Sequence, residues 1–359
     1  MTLSNGVTEL IPEAHIESVQ SVPPFKITDP QPVRRLSGAD PVGLGVLRQC
    51  LHILLYYTKV TQDDSGWLHA GWIKESLSRA LLEQPLFAGR LREGAIELGE
   101  LVIVANDCGV RLIHSRTPMT MSEFLAYKDS MEDAEANLVF WNDIDEQNPR
   151  YSPLFYVQVT NFQCGGTSVG ISCSVLLADL LFKENFLKKW ANIHNLLLSD
   201  KSLPVTPFYT FPHVEKKGSS PKSIFVSNPG KKCGKIMIFN VTVGNVDSEN
   251  DDALQFCAEE AESKFGVGKF FVKINNSGSG IMVENFRKGG LAKPKLSGIA
   301  EAGWDDFGAK EVEFREGNKP ACVSYWVGLI SGGLVMAMPS SADQEGASEL
   351  VKVIVTVPN

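Results

Sequence analysis

A proline-rich segment at residues 199–230 divides the chain into two parts. It contains five prolines together with the polar run from Lys216 to Ser220, a composition that indicates a connection between domains. Strand-like and helix-like patterns alternate on both sides of it, which predicts an α/β protein with mixed sheets. We therefore expect an N-terminal domain at residues 1–198, a linker at 199–230 and a C-terminal domain at 231–359.

Local patterns predict most of the individual elements. Apolar residues at helical spacing from Trp72 to Leu81 predict a helix that Pro85 ends. Two alternating, β-rich runs joined at Cys164 to Gly166 predict a hairpin, and a helix is predicted from about Leu180 to Leu198. The other predictions are an edge strand in a meandering lead-in (1–40), strands (50–59, 101–105, 110–114, 235–243, 270–274, 281–284), a helix (251–264) and a β pair (321–330 with 333–338).

Composition excludes several classes of function. The 34 basic and 42 acidic residues give a net charge of -8 without a long run of either sign, which argues against a nucleic-acid partner. The first residues lack a secretory pattern, and no apolar run reaches membrane-spanning length. We therefore expect a cytoplasmic protein whose seven scattered cysteines are free thiols.

Isolated motif matches carry little weight. Gly166 to Gly170 satisfies GxSxG, but Ser168 lies inside a predicted strand instead of at a sharp turn before a helix. None of the six histidines has a carboxylate or cysteine at metal-ligand or triad spacing, so we expect no metal site.

Four segments are informative together. Ile171-Ser-Cys-Ser-Val-Leu-Leu-Ala-Asp179 lies between a predicted strand and a predicted helix, and Ile73 to Leu81 is followed by Pro85-Leu-Phe-Ala-Gly-Arg-Leu91. Further on come Asn106 to Val110 and Asp306-Phe-Gly308. These segments resemble motifs of the plant BAHD acyltransferases. Residues 171–179 resemble HxxxD after a strand, residues 73–91 a helix with a P-x-x-AGRL turn, residues 106–110 the N-x-x-G-V segment, and residues 306–308 the start of DFGWG.

The resemblance covers roughly residues 45 to 200 and 300 to 340. It implies two chloramphenicol-acetyltransferase-like domains that face a central channel, with a C-terminal domain shorter than is usual in the family. It also implies acyl-CoA as a ligand, without a permanently bound cofactor. In that family, the histidine of HxxxD removes a proton from an alcohol or amine as it attacks the acyl-CoA thioester.

The residue at the position of that histidine is Val175, which has no proton acceptor. Losing a general base typically costs about 10²- to 10⁴-fold in rate. Ser174 should point to the other face of the strand, and an unactivated hydroxyl is a poor base. The resemblance gives Asp179 a structural role, an ion pair with a basic residue, for which Arg287 is our first candidate. No catalytic residue is therefore expected to be intact.

Three further positions depart from the family pattern. Leu180 replaces a glycine after the aspartate, and Ala309 and Lys310 stand where Trp and Gly are expected. Asp306, Phe307 and Gly308 match the family motif that shapes the CoA-side domain, so the resemblance implies that they contribute structurally to CoA binding.

Three functions remain open. The first is a monomeric accessory protein that does not transfer acyl groups. It would be similar to the Eceriferum-type branch of the family, and the resemblance implies that this branch assists fatty-acid condensing enzymes. Such a partner would hold the chain at the surface of the endoplasmic reticulum. The second is an impaired or repurposed acyl-CoA-dependent O- or N-acyltransferase. The third is a shortened product without a stable function.

Overall fold

The computed structural model describes residues 14–38, 44–59, 66–94, 100–128, 134–183, 185–200, 202–203, 206–207, 233–243, 247–265, 271–277, 280–286, 299–328, 332–339 and 349–358. The helices in these ranges are α1 Gly66–Ala80, α2 Met121–Lys128, α3 Ala178–Lys183, α4 Phe186–Ser199 and α5 Asp247–Phe265. The strands are β1 His15–Val22, β2 Val33–Gly38, β3 Cys50–Tyr57, β4 Arg90–Glu93, β5 Leu101–Val104, β6 Val110–Arg116, β7 Phe155–Asn161, β8 Thr167–Ser174, β9 Lys235–Val243, β10 Phe271–Ser277, β11 Gly280–Phe286, β12 Ile299–Ala302, β13 Cys322–Val327, β14 Gly333–Pro339 and β15 Glu349–Val357.

The described strands form two mixed sheets. Sheet A has the order β1-β6-β7-β8-β3-β13, and sheet B has the order β12-β9-β15-β14-β10-β11-β2-β5-β4. The pairs β6 with β7, β10 with β14 and β11 with β2 are parallel, whereas the other neighbours are antiparallel. The predicted α/β class with mixed sheets is confirmed.

The two sheets exchange strands across the predicted linker. From the C-terminal part of the chain, β13 pairs with β3 in sheet A, while β2, β4 and β5 from the N-terminal part lie in sheet B. The predicted β pair of 321–330 with 333–338 is therefore wrong, since β14 pairs with β10 and β15 in sheet B. Local alternation identifies a strand but not its partner. The domain bounds themselves stay a prediction, because residues 208–232 lie outside the described ranges.

The helix predicted from Leu180 to Leu198 is two helices. Asn185 lies between α3 and α4 with a left-handed φ of 52°. Asparagine tolerates this conformation better than most residues because its short polar side chain bonds locally. The break separates α3, which begins shortly after β8, from α4.

The main hydrophobic core is shared by both sheets. Leu51 and Ile53 contribute the face of sheet A that α1 and α4 cover, and Leu36 and Leu334 contribute one face of sheet B. The opposite face of sheet A packs under α2, and α5 covers the other face of sheet B. In the described part of the chain, no helix has the length and apolar character that a membrane crossing needs.

Candidate functional site

Val175 follows the last residue of β8 and is packed in the main core. Its N–H donates to the Gln49 carbonyl at 3.2 Å, which extends the β3–β8 pairing by one residue beyond Cys50 and Ser174. Only 1% of Val175 is exposed, and the turn residues Leu176 and Leu177 are fully buried. Val175 is thus a core residue, because this apolar turn packs over the end of the strand.

Strand alternation separates Val175 from the polar side chains nearby. Ser172 and Ser174 lie on the face of β8 that α2 covers, whereas Cys173 and Val175 belong to the core under α1 and α4. The Ser174 hydroxyl accepts a long bond from the Leu176 N–H at 3.4 Å, so it supports the turn. It does not face the position of the expected base.

A buried histidine–serine pair lies on that other face. His52 Nδ1 is 2.8 Å from the Ser172 hydroxyl, and the imidazole stacks on Trp326 with ring centroids 5.0 Å apart. Sequence analysis missed this pair because its members are 120 residues apart and meet only through the β3–β8 register. Since the pair lies across the sheet from Val175, it does not supply a base at that position.

Two thiols flank Val175 in the fold. Burial raises the pKa of the Cys50 and Cys173 thiols well above the ordinary value. Both are therefore neutral thiols at physiological pH, and neither is a thiolate nucleophile or a proton acceptor.

Asp179 forms a buried ion pair with Arg34. The two guanidinium nitrogens donate to the two carboxylate oxygens at 2.9 Å each, and 9% and 4% of the side chains are exposed. Asp179 lies in the first turn of α3, and Arg34 lies on β2 of sheet B. The pair thus ties the end of sheet A to sheet B. The partner is Arg34; the candidate from the sequence, Arg287, lies outside the described residues.

The second motif contacts α3 directly. The Phe307 ring packs on Phe182 with centroids 4.4 Å apart, and the Asp306 carboxylate accepts the Gly303 N–H at 3.1 Å. Gly308 ends the turn with a φ of 73°, a conformation that favours glycine. Lys352 donates to the Asp306 carbonyl and lies 4.8 Å from the Phe307 ring centre. These contacts hold the turn that follows β12 against the helix that carries Asp179.

The three departures from the family pattern fit this packing. Leu180 is half-buried and packs against the main core. Ala309 is buried, and the exposed Lys310 pairs with Asp305 at 2.7 Å. None of these side chains provides a proton acceptor.

A buried arginine explains why two other motifs occur together. The Arg90 guanidinium donates to the carbonyls of Gly89 and Gly109 at 2.8 and 2.9 Å. A side chain on Gly89 would meet the Val104 carbonyl at 2.4 Å, so β4 approaches β5 too closely for any other residue. The AGRL and N-x-x-G-V segments therefore form one scaffold around Arg90.

Outside this region, the remaining possibilities are a metal site and a surface crevice. Within the described ranges, no three His, Cys, Asp or Glu side chains are placed to hold a metal ion. A surface crevice occurs at the opposite end of β8, about 25 Å along the strand from Val175. Its lining includes Tyr57, Lys59, His69, Thr167, Arg315 and Asn318.

Comparison with known proteins identifies the family. Residues 25–232 match the model described as the Transferase family. The protein ECERIFERUM 26-like of Arabidopsis thaliana is 31% identical over 152 residues, which are 42% of this chain and 35% of that protein. A hydroxycinnamoyltransferase of Narcissus pseudonarcissus is 30% identical over 174 residues, 45% of this chain and 38% of that protein. The chain thus spans little more than a third of the length of these relatives.

The crystal structure of vinorine synthase has 13% sequence identity and a TM-score of 0.44, with 96% of this chain and 95% of that chain covered. The family model, by contrast, covers more than half of the 359 residues. The chain belongs to this transferase family, the plant BAHD acyltransferases that its motifs resemble.

Proposed function

We propose that this chain is a non-catalytic accessory protein that keeps the shell of a BAHD acyltransferase. The observation that carries the proposal is Val175, a buried aliphatic residue at the position that the resemblance assigns to the general base. Without a base, acyl transfer loses about 10²- to 10⁴-fold in rate. The neutral thiols nearby, the turn hydroxyl of Ser174 and the paired carboxylate of Asp179 offer no replacement.

The retained contacts support a folded shell. The Asp179–Arg34 pair and the Phe182–Phe307 contact join α3 to sheet B and to the second motif. We propose an acyl-CoA as the ligand of this shell, in plant specialised or very-long-chain lipid metabolism. Two relatives carry the ECERIFERUM name. The resemblance implies that this branch assists fatty-acid condensing enzymes, so such an enzyme is the proposed partner, with the chain in the cytoplasm at the endoplasmic reticulum surface.

An impaired or repurposed acyl-CoA-dependent acyltransferase is the second candidate. It is favoured by relatives that are named for reactions, such as rosmarinate synthase of Plectranthus scutellarioides, 30% identical over 142 residues. The two candidates differ in one measurable property, which is turnover of a bound acyl-CoA.

Release of free CoA thiol tests the proposal. The purified chain, Val175→His and the matched control Val169→His are assayed with several acyl-CoAs and with small alcohols and amines. Val169 is a fully buried valine of β8, so its replacement imposes a similar packing cost away from the site. We expect acyl-CoA binding in a thermal-shift assay without turnover in any of the three proteins.

We expect no rescue in Val175→His because the new imidazole would be buried among the apolar side chains of the main core. Turnover by the unaltered chain would establish the transferase alternative. A gain of about 10²-fold or more in Val175→His alone would show that the rest of the catalytic site is intact and lacks only a base, against the accessory role.

A further inference from the structure

Gln49 carries a buried carboxamide beside Val175. Only 1% of the residue is exposed, and among the described residues neither Oε1 nor Nε2 has a hydrogen-bond partner. Burying an amide without partners costs free energy, and most buried polar side chains in folded proteins are bonded. A group that is kept at such a cost calls for a role that the folded chain alone does not explain.

The backbone places this amide next to the position of the missing base. Gln49 is extended, with φ of -86° and ψ of 135°, and its carbonyl accepts the Val175 N–H. The two residues therefore form the next cross-strand pair after Cys50 and Ser174. Side chains of such a pair lie on the same face with Cβ atoms about 5 Å apart.

A second buried glutamine provides the contrast. Gln158 is 2% exposed, and its Nε2 donates to the Asn137 carbonyl at 2.9 Å and to the Ser115 hydroxyl at 3.1 Å. Its amide is thus hydrogen-bonded, whereas the Gln49 amide has no partner in the described part of the chain.

We propose that the Gln49 carboxamide is a ligand-binding group that donates its Nε2–H to the carbonyl of an acyl thioester. This rests on the proposed function, since acyl-CoA is the ligand that function implies. A neutral ligand group with an apolar chain fits this position, because the paired residue Val175 and the following Leu176 and Leu177 are apolar, and the carboxylate of Asp179 further along is paired with Arg34. An amide also offers an acceptor oxygen, so a hydroxyl is the competing head group.

The burial of Gln49 sets a kinetic expectation. A ligand reaches the amide only when the surrounding side chains move aside, and binding that needs such a change is slower than simple docking. We expect the ligand to associate with a rate constant below the range of about 10⁵ to 10⁷ M⁻¹s⁻¹ that is typical when two proteins dock.

Two matched substitutions test the assignment, Gln49→Leu and Gln158→Leu. Leucine at 49 removes an unpaired amide, so the melting temperature should stay unchanged or rise. Leucine at 158 breaks existing bonds, so the melting temperature should fall by roughly 1–4 °C. An equal fall in both variants would overturn the claim that the Gln49 amide is unpaired.

Ligand binding is measured with dodecanoyl-CoA, CoA alone and dodecanol. We expect dodecanoyl-CoA to bind the unaltered chain and Gln158→Leu, with affinity at least about tenfold weaker for Gln49→Leu, the loss of one hydrogen bond. In a nitrogen-15 NMR spectrum, the side-chain amide signal that is missing in Gln49→Leu should shift when the ligand is added.

The outcomes separate the two proposals. Equal affinity for the unaltered chain and Gln49→Leu would refute the role of Gln49 and leave the accessory function standing. If no acyl-CoA binds the unaltered chain, the proposed function fails and this inference fails with it. Dependence on Gln49 for dodecanol alone would overturn the thioester assignment.

Discussion

The ion pair between Asp179 and Arg34 offers a quantitative test of the shell. Asp179→Asn removes one charge and leaves the Arg34 guanidinium buried, with 9% of its side chain exposed. Breaking a buried pair in this way costs about 3–5 kcal/mol. Unfolding entropy of about 2.1 cal/mol/K per residue amounts to roughly 0.75 kcal/mol/K for 359 residues. The melting temperature should therefore fall by roughly 4–7 °C.

A double-mutant cycle isolates the interaction. Removing both charges in Arg34→Met with Asp179→Leu leaves no unpaired charge, and apolar replacement of a whole buried pair is often neutral. We therefore expect the double variant to be more stable than either single variant, with a coupling energy between the two sites that exceeds the roughly 3 kcal/mol upper end usual for neighbouring residues. Scanning calorimetry and circular dichroism measure the four proteins.

Asp305→Asn serves as the control because the Asp305–Lys310 pair is also close, at 2.7 Å, but exposed. We expect no measurable change from it, since exposed pairs contribute little. An unchanged melting curve for Asp179→Asn, or strictly additive effects in the double variant, would refute the conclusion that the Asp179–Arg34 ion pair stabilises the contact between the two sheets.

Two further predictions concern the scaffold. Burial holds the pKa of the His194 imidazole well below its ordinary value of 6.5, so below that pH the unfolded chain binds more protons than the folded chain. The stability that His194 contributes should therefore be fully present above pH 6.5 and decline as the pH falls. His194→Phe should flatten the profile of melting temperature between about pH 5 and 7.5, and an unchanged slope would exclude His194 as the source of the pH dependence. Arg90→Gln should destabilise the chain by about 2–4 kcal/mol because the guanidinium bonds to Gly89 and Gly109 are lost, and an unaltered urea midpoint would contradict this.

Sequence patterns located elements where the pattern is local. The hairpin of β7 and β8 and the bounds of β9 follow from alternation and turn residues, which act within a few positions. The motif order also brought the segments of the site together, since Asp179 and Phe307 meet through Phe182. These parts needed no knowledge of distant pairing.

The contacts that define the site's chemistry were not accessible in this way. Arg34 and Asp179 are 145 residues apart, and the local sequence around a charged residue on a strand does not identify its ion-pair partner. Gln49 and Val175 are adjacent only because of the β3–β8 register. No local sequence signal shows that β13, from the C-terminal part of the chain, pairs with β3 in sheet A. Pairing of distant segments follows from the packing of the whole core, in which alternation leaves several partners equally acceptable.

The two motif positions in Val175 to Asp179 differ in what their loss costs the fold. An imidazole at 175 would be a desolvated polar group, and valine in its place adds apolar contacts to a fully packed turn, so losing a base there removes chemistry without removing stability. Losing Asp179 would leave the buried Arg34 guanidinium unbalanced and would remove the ion pair between α3 and β2. Under the proposed accessory role, in which only the folded shell is needed, the aspartate would be retained and valine would be tolerated at 175, which is the combination that this chain carries.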